Sequence, residues 1–125
     1  MRLLVDSHVL VWHLNDDPRL GPTATAAIEA PTAEVLVSAG SLWEIAIKVG
    51  LGKLKAPDDL PERIEPLGFQ LLNVTADDAW RVRMLPHHHG DPFDRLLIAQ
   101  AQAHSLPIVT GDPAFADYDV TVIWD

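Results

Sequence analysis

His87–Ala101, HHHGDPFDRLLIAQA, places two acids, Asp91 and Asp94, at the mouth of an apolar helix. Pro is favoured at the first position of a helix, so Asp91 reads as the N-cap and Asp94 as the third helical residue. Leu96, Leu97, Ile98, Ala99 and Ala101 then form the packing side behind them. A well-capped core helix accounts for one such acid, since a carboxylate in the first turn is stabilised by roughly 0.3–1 kcal/mol. The position of the remaining acids decides whether the second needs another explanation.

Working outward, the chain alternates short apolar runs with helical patterns. Arg2–Val5 reads as a strand that stops at Asp6, and Val9, Leu10, Trp12 and His13 follow at helical spacing. Asp16, Asp17 and Pro18 end that helix, and a second covers roughly Thr23–Glu29, closed by Pro31. Val35–Val37 is the next strand, and Ser38, Gly40 and Ser41 open the helix LWEIAIKV. There Ser41 and Glu44 fit a capping box, which is the structural reading of Glu44.

Leu60–Leu67 suggests a short helix, Phe69–Val74 a third strand, and Thr75 with Asp78 a capping box for a helix reaching Met84. Pro107–Thr110 reads as the fourth strand, with Asp112 just beyond it, and Val120–Ile123 as the fifth. The expected architecture is a single domain over residues 1–125. It is a three-layer α/β/α sandwich around a parallel sheet of five strands, or four if the last is too short to pair. The ligand crevice of such a sheet lies at the carboxyl ends of its strands.

Composition narrows the chemistry. The 125 residues contain no cysteine, which removes disulfides, thiolate-bound zinc and a cysteine nucleophile and leaves carboxylates and six histidines. Such a donor set favours hard, oxygen-liking cations such as Mg²⁺ or Mn²⁺. No run approaches the ~20 apolar residues of a membrane span, and Asp6 interrupts what would be the apolar part of a leader, so a cytoplasmic protein is expected. A net charge of −9 argues against nucleic acid unless several of the acids are gathered at bound cations.

Asp6 follows the first strand, Glu44 lies in the helix after the second, Asp94 opens the helix leading into the fourth, and Asp112 follows the fourth. A helix antiparallel to the strands begins at their carboxyl edge, so all four acids overhang one crevice. Carboxylates within ~4–6 Å raise one another's pKa, a cost that a shared cation offsets. The layout therefore predicts a metal centre suited to phosphodiester cleavage by an activated water.

LLVDSHVLVWHL, VSAGSLWEIAIKVGLGKL, DPFDRLLIAQA, LPIVTGDPAF and the tail YDVTVIW together resemble the PIN domain, specifically the VapC-type toxins of bacterial toxin-antitoxin pairs. The resemblance covers nearly the whole chain. It implies a Mg²⁺-dependent endoribonuclease, with Mn²⁺ as an alternative ion, held inactive by a cognate antitoxin. It also implies that the acidic quartet is Asp6, Glu44, Asp94 and Asp112, with Asp6 and Asp94 as direct metal ligands. Ser7 and Thr110 match small hydroxyl positions beside the first and last acids. The alternative is a PIN-like module that binds RNA or protein without cutting.

The remaining chemistry-bearing residues are read more plainly. Lys48, Lys53 and Lys55 are candidate RNA phosphate contacts, or else a solvated helix end. Adjacent histidines in a loop point in different directions, so His87, His88 and His89 read as a polar loop near the site rather than a zinc cluster. His8, His13 and His104 are expected to be half-buried packing residues. Trp12, Trp43, Trp80 and Trp124 are expected in the core or at an interface, and with the apolar helices they suggest a homodimer. Asp77 and Asp78 are expected to cap.

Overall fold

The computed structural model describes residues 1–125. β1 (Arg2–Val5), β2 (Glu34–Ser38), β3 (Gln70–Leu72), β4 (Ile108–Val109) and β5 (Val122–Ile123) form one sheet in the order β3-β2-β1-β4-β5. Every neighbouring pair is parallel. The helices are α1 (Ser7–Leu14), α2 (Pro22–Glu29), α3 (Ala39–Gly50), α4 (Leu60–Arg63), α5 (Ala76–Arg81) and α6 (Pro92–His104). The chain turns outward from β1 in both directions, so β1 and β4 flank the point where strand order reverses, and the crevice opens above their carboxyl ends.

The strands are apolar on both faces, as a parallel sheet covered on two sides requires. Leu3, Val5, Val35 and Val37 point to one face and pack with Val9, Leu10, Ile28, Ile45, Leu60 and Ile64 from α1 to α4. Leu4, Leu36 and Ile108 point to the other and pack with Leu97, Ile98, Ala101 and Phe115. The alternation of neighbours such as Leu3 and Leu4 between faces follows from the two-residue period of a strand. The sandwich and its five-stranded sheet agree with the reading of the sequence.

Register positions the site. Val5 lies opposite Val37 on one side and Val109 on the other. The next residues, Asp6, Ser38 and Thr110, therefore emerge level with one another along one edge. The Asp6 N–H still donates to the Val109 carbonyl at 3.2 Å, which carries the β1–β4 pairing one residue past the strand.

Local boundaries differ from expectation in instructive ways. Helix α3 begins one turn early: Ser38 is its N-cap, accepting from the Gly40 N–H at 3.0 Å, and Ser41 lies inside the helix. The Ser41–Glu44 capping box does not form, because β2 runs straight into α3 without a loop. The Leu60 helix stops at Arg63, and the helix begun at Thr75 ends at Arg81 and continues as a 3₁₀ turn over Val82–Met84. The Thr75–Asp78 capping box is present with both reciprocal hydrogen bonds. The outer strands pair over only two or three residues, β3 over Gln70–Leu72 and β5 over Val122–Ile123.

Of the tryptophans, Trp12 and Trp124 pack at 6.0 Å between ring centres, whereas Trp43 and Trp80 are exposed. His13 packs on Phe69 and His104 faces Asp78, but His8 is exposed beside Trp12. No helix is long and apolar enough to cross a membrane.

Candidate metal centre

Asp6 is the last residue before α1 and its N-cap; one carboxylate oxygen accepts from the Val9 N–H at 2.7 Å. The other accepts from the Thr110 hydroxyl. Burial pushes the Asp6 carboxyl above its ordinary range, against these two hydrogen bonds and the charge of His8, and the charge of Glu44 pushes the same way. An acid that is buried, doubly hydrogen-bonded and close to another acid is costly unless something positive joins it.

Glu44 sits well inside α3, buried, and accepts from the Ser7 hydroxyl while pairing with Lys48 at 3.2 Å. Ser7 follows Asp6 directly, so its hydroxyl ties Glu44 to the backbone that carries the first strand's acid.

Asp94 occupies the first turn of α6. Its N–H donates to Asp91 at 2.9 Å, which confirms Asp91 as the helix cap. Its carboxylate receives His89 Nε2 at 2.8 Å. Burial, first of all, lifts the Asp94 pKa to about 6; the charges of Asp91 and Glu44 add to the rise, and the His89 contact opposes it. His89 is in turn held above its ordinary value by the same hydrogen bond, with Asp112 and Asp91 contributing charge. Asp112 caps the following 3₁₀ turn through Ala114 N–H at 2.9 Å, and its own N–H donates to Thr110 Oγ1 at 3.1 Å.

The acids thus form a connected chain: Asp6 to Glu44 through Ser7, Glu44 to Asp94 through charge, and Asp6 to Asp112 through the Thr110 hydroxyl. The group with ligand atoms close enough to share one ion is narrower. His89, Asp94 and Asp112 each offer an atom, all within 4.8 Å of one another. Asp6 and Glu44 stand outside this group, their carboxylates turned to Val9, Thr110, Ser7 and Lys48. Two carboxylates and an imidazole, with two further acids alongside, suit a divalent cation.

The chain carries the same pattern across its length. Residues 3–120 match the PIN domain family. This protein belongs to that family. The PIN domain here is 33% identical over 118 residues to Ribonuclease VapC22 of Mycobacterium tuberculosis (strain ATCC 25618 / H37Rv), spanning 88% of this chain and 86% of that protein. Its fold matches VapBC2 from Rickettsia felis, bound to a DNA fragment from their promoter, with a TM-score of 0.71 at 15% identity, covering 98% of this chain and 97% of that one. FitAcB from Neisseria gonorrhoeae matches with a TM-score of 0.62 at 24% identity, covering 98% and 96%. At these identities the solved structures speak for the PIN fold alone.

Lys48, Lys53 and Lys55 line one cleft together with Ser7, Trp12 and Arg19, next to the acids. Two residues of this PIN domain escaped the reading of its sequence. His89 turns in while His87 and His88 stay exposed, and a loop has no periodicity from which to choose among them. Arg95 is buried, with 7% of its surface exposed. Its signal was available: Arg95, Ile98 and Ala99 share one helical face by spacing, and a cation on a buried face needs acceptors.

Proposed function

We propose that this PIN domain is a metal-dependent endoribonuclease and the toxin of a type II toxin-antitoxin pair. The observation that carries the reading is the group of His89, Asp94 and Asp112 at ligand spacing, with the buried carboxylates of Asp6 and Glu44 nearby. The 33% identical relative named a ribonuclease supports it. A divalent cation, Mg²⁺ or Mn²⁺, supplies when bound the activation of an attacking water and neutralisation of charge on the phosphate.

The chain's residues do the rest. Asp94 and Asp112 would hold the ion, with the Asp6 carboxylate adding its charge from the end of the neighbouring strand. Thr110 fixes the Asp6 carboxylate, and Ser7 does the same for Glu44, which orients water or the Lys48 ammonium. Lys48, Lys53 and Lys55 lead RNA phosphates along the cleft beside the acids, a local patch of positive charge in a chain of net −9. Trp43, Ile47 and Leu51 are exposed and repeat every four residues along and just beyond α3. That stripe supports docking of an amphipathic antitoxin segment. A homodimer would use the other exposed apolar face, around Trp80 and Met84. The setting is the cytoplasm.

Incubation of RNA with the protein and Mg²⁺ or Mn²⁺ should give cleavage that a chelator abolishes. Binding of RNA without any cleavage in either metal would favour the rival reading, a PIN-like binding module.

A further inference from the structure

The roles in cleavage set out above fall to acids, hydroxyls and lysines and leave the three histidines without one. His89 is nevertheless held in place with unusual care. Its backbone N–H donates to the Tyr118 hydroxyl at 2.9 Å, and its carbonyl accepts from Arg95 at 3.3 Å. The Arg95 guanidinium also donates to the carbonyls of Val82, Leu85 and Pro86 and to Tyr118. No carboxylate partners this buried cation; its acceptors are the Tyr118 hydroxyl and backbone carbonyls of the segment that runs from Val82 to His89. A buried charge is costly when its acceptors move away, so the arrangement ties the loop to α6. Arg95 is the residue after Asp94, and the helix that presents the acid therefore also sets where the imidazole stands.

The imidazole reaches the acids at ligand spacing. Nε2 lies 2.8 Å from Asp94, and His89, Asp94 and Asp112 fall within 4.8 Å of one another. Around an octahedral ion with bonds of roughly 2.1 Å, ligands stand about 3 Å apart when adjacent and about 4.2 Å when opposite. The group needs little movement to close on an ion.

We propose that His89 is a nitrogen donor to the divalent cation of this site, completing a mixed set with Asp94 and Asp112. A nitrogen among the oxygens makes the site favour Mn²⁺ over Mg²⁺, because Mg²⁺ takes oxygen ligands and first-row ions accept imidazole. The inference rests on the metal-centre part of the proposed function and is independent of RNA cleavage. Its rival is a purely structural role, in which His89 is a counter-ion to Asp94 and leaves when metal arrives.

Pulsed electron paramagnetic resonance on the full chain with Mn²⁺ and no RNA separates the two. Nitrogen-14 coupling to the bound ion is expected, and growth on ¹⁵N-histidine should convert it to the ¹⁵N pattern in the wild-type protein, whatever a variant's folding. His89→Gln should lose the coupling and weaken Mn²⁺ binding in calorimetry by about tenfold or more, with Mg²⁺ binding changed far less. Tyr118→Phe, which frees the His89 N–H while keeping the ring, should weaken Mn²⁺ binding to a smaller extent. Bound Mn²⁺ without nitrogen coupling, or coupling unchanged in His89→Gln, overturns the proposal. A protein that cuts RNA with an all-oxygen Mn²⁺ site loses this inference alone. One that binds Mn²⁺ through nitrogen but cuts no RNA loses only the nuclease reading.

Discussion

The Thr110 hydroxyl donates to the Asp6 carboxylate across 104 residues of sequence, at the seam between β1 and β4. The contact exists because Val5 and Val109 are paired in register, so the residues after them leave the sheet side by side. It holds one acid of the centre in place while the N–H of Asp112 takes the same hydroxyl from the other side.

Replacing acids at this edge should separate stability from activity. Asp6→Asn and Asp94→Asn are expected to abolish RNA cleavage, with metal-free melting temperature unchanged or higher, since each removes a charge that burial already disfavours. Cleavage assays paired with thermal melts check this. A variant that lost stability and kept cleavage would reduce the acids to helix caps.

The raised Asp94 pKa sets a pH window. With the folded value at about 6 against an ordinary 3.8, the native state keeps a proton that the unfolded chain releases between them. Metal-free stability from this group is full below about pH 4 and declines as pH climbs through 6, by no more than about 2–3 kcal/mol. Metal affinity should run the other way, rising through the same window, because the ion takes the ionised carboxylate. Denaturant titrations between pH 4 and 7 without metal, on wild type and Asp94→Asn, read the slope; equal slopes would remove Asp94 as its source.

Asp78 behaves oppositely and lies outside the centre. Burial alone would raise its pKa, but hydrogen bonds from the Thr75 N–H and Gln100 amide, and the nearby His104, hold it below the ordinary range. Its stabilisation is therefore present above about pH 4 and lost as pH falls through the lower folded value. Asp78→Ala should cost about 1–3 kcal/mol through the acceptor lost to the Thr75 N–H and to the Gln100 amide, which keeps only the Asn73 carbonyl, while cleavage per folded molecule stays at the wild-type level. A loss of specific activity in this variant would place Asp78 in the site after all.

The lysine cleft predicts a salt dependence. RNA binding by the Lys48, Lys53 and Lys55 triple Ala variant should lose roughly three units of slope against log salt, about one per phosphate contact. Binding isotherms at several salt concentrations measure it. Identical slopes in wild type and variant would take the lysines off the RNA path.

Inhibition should be electrostatic. An antitoxin segment carrying Arg would meet the acids bidentately and compete with the ion for them. Adding Mg²⁺ or Mn²⁺ to a fixed toxin–peptide mixture should weaken peptide binding, and Asp94→Asn should weaken it too. Peptide affinity indifferent to both would place the antitoxin's action away from the acids.

Periodicity alone carried the architecture: apolar runs such as Arg2–Val5 and Val35–Val37 separated by helical patterns leave few arrangements other than a covered parallel sheet, and acids that end such runs must share its carboxyl edge. The Asp91 cap and the Thr75–Asp78 box were legible for the same reason, since each is closed within four residues. What spans the fold was not. Ser41–Glu44 has the spacing of a cap, yet β2 meets α3 at Ser38, and Glu44 turns instead to Ser7, 37 residues away. Gln100 joins Ser38 to Asp78, and Arg95 gathers the carbonyls around His89, because buried polar groups take partners from whatever element packs against them. Which histidine of three enters the centre was settled by that packing: local sequence treats His87, His88 and His89 alike, and only the docking of their loop on α6 and Tyr118 tells them apart.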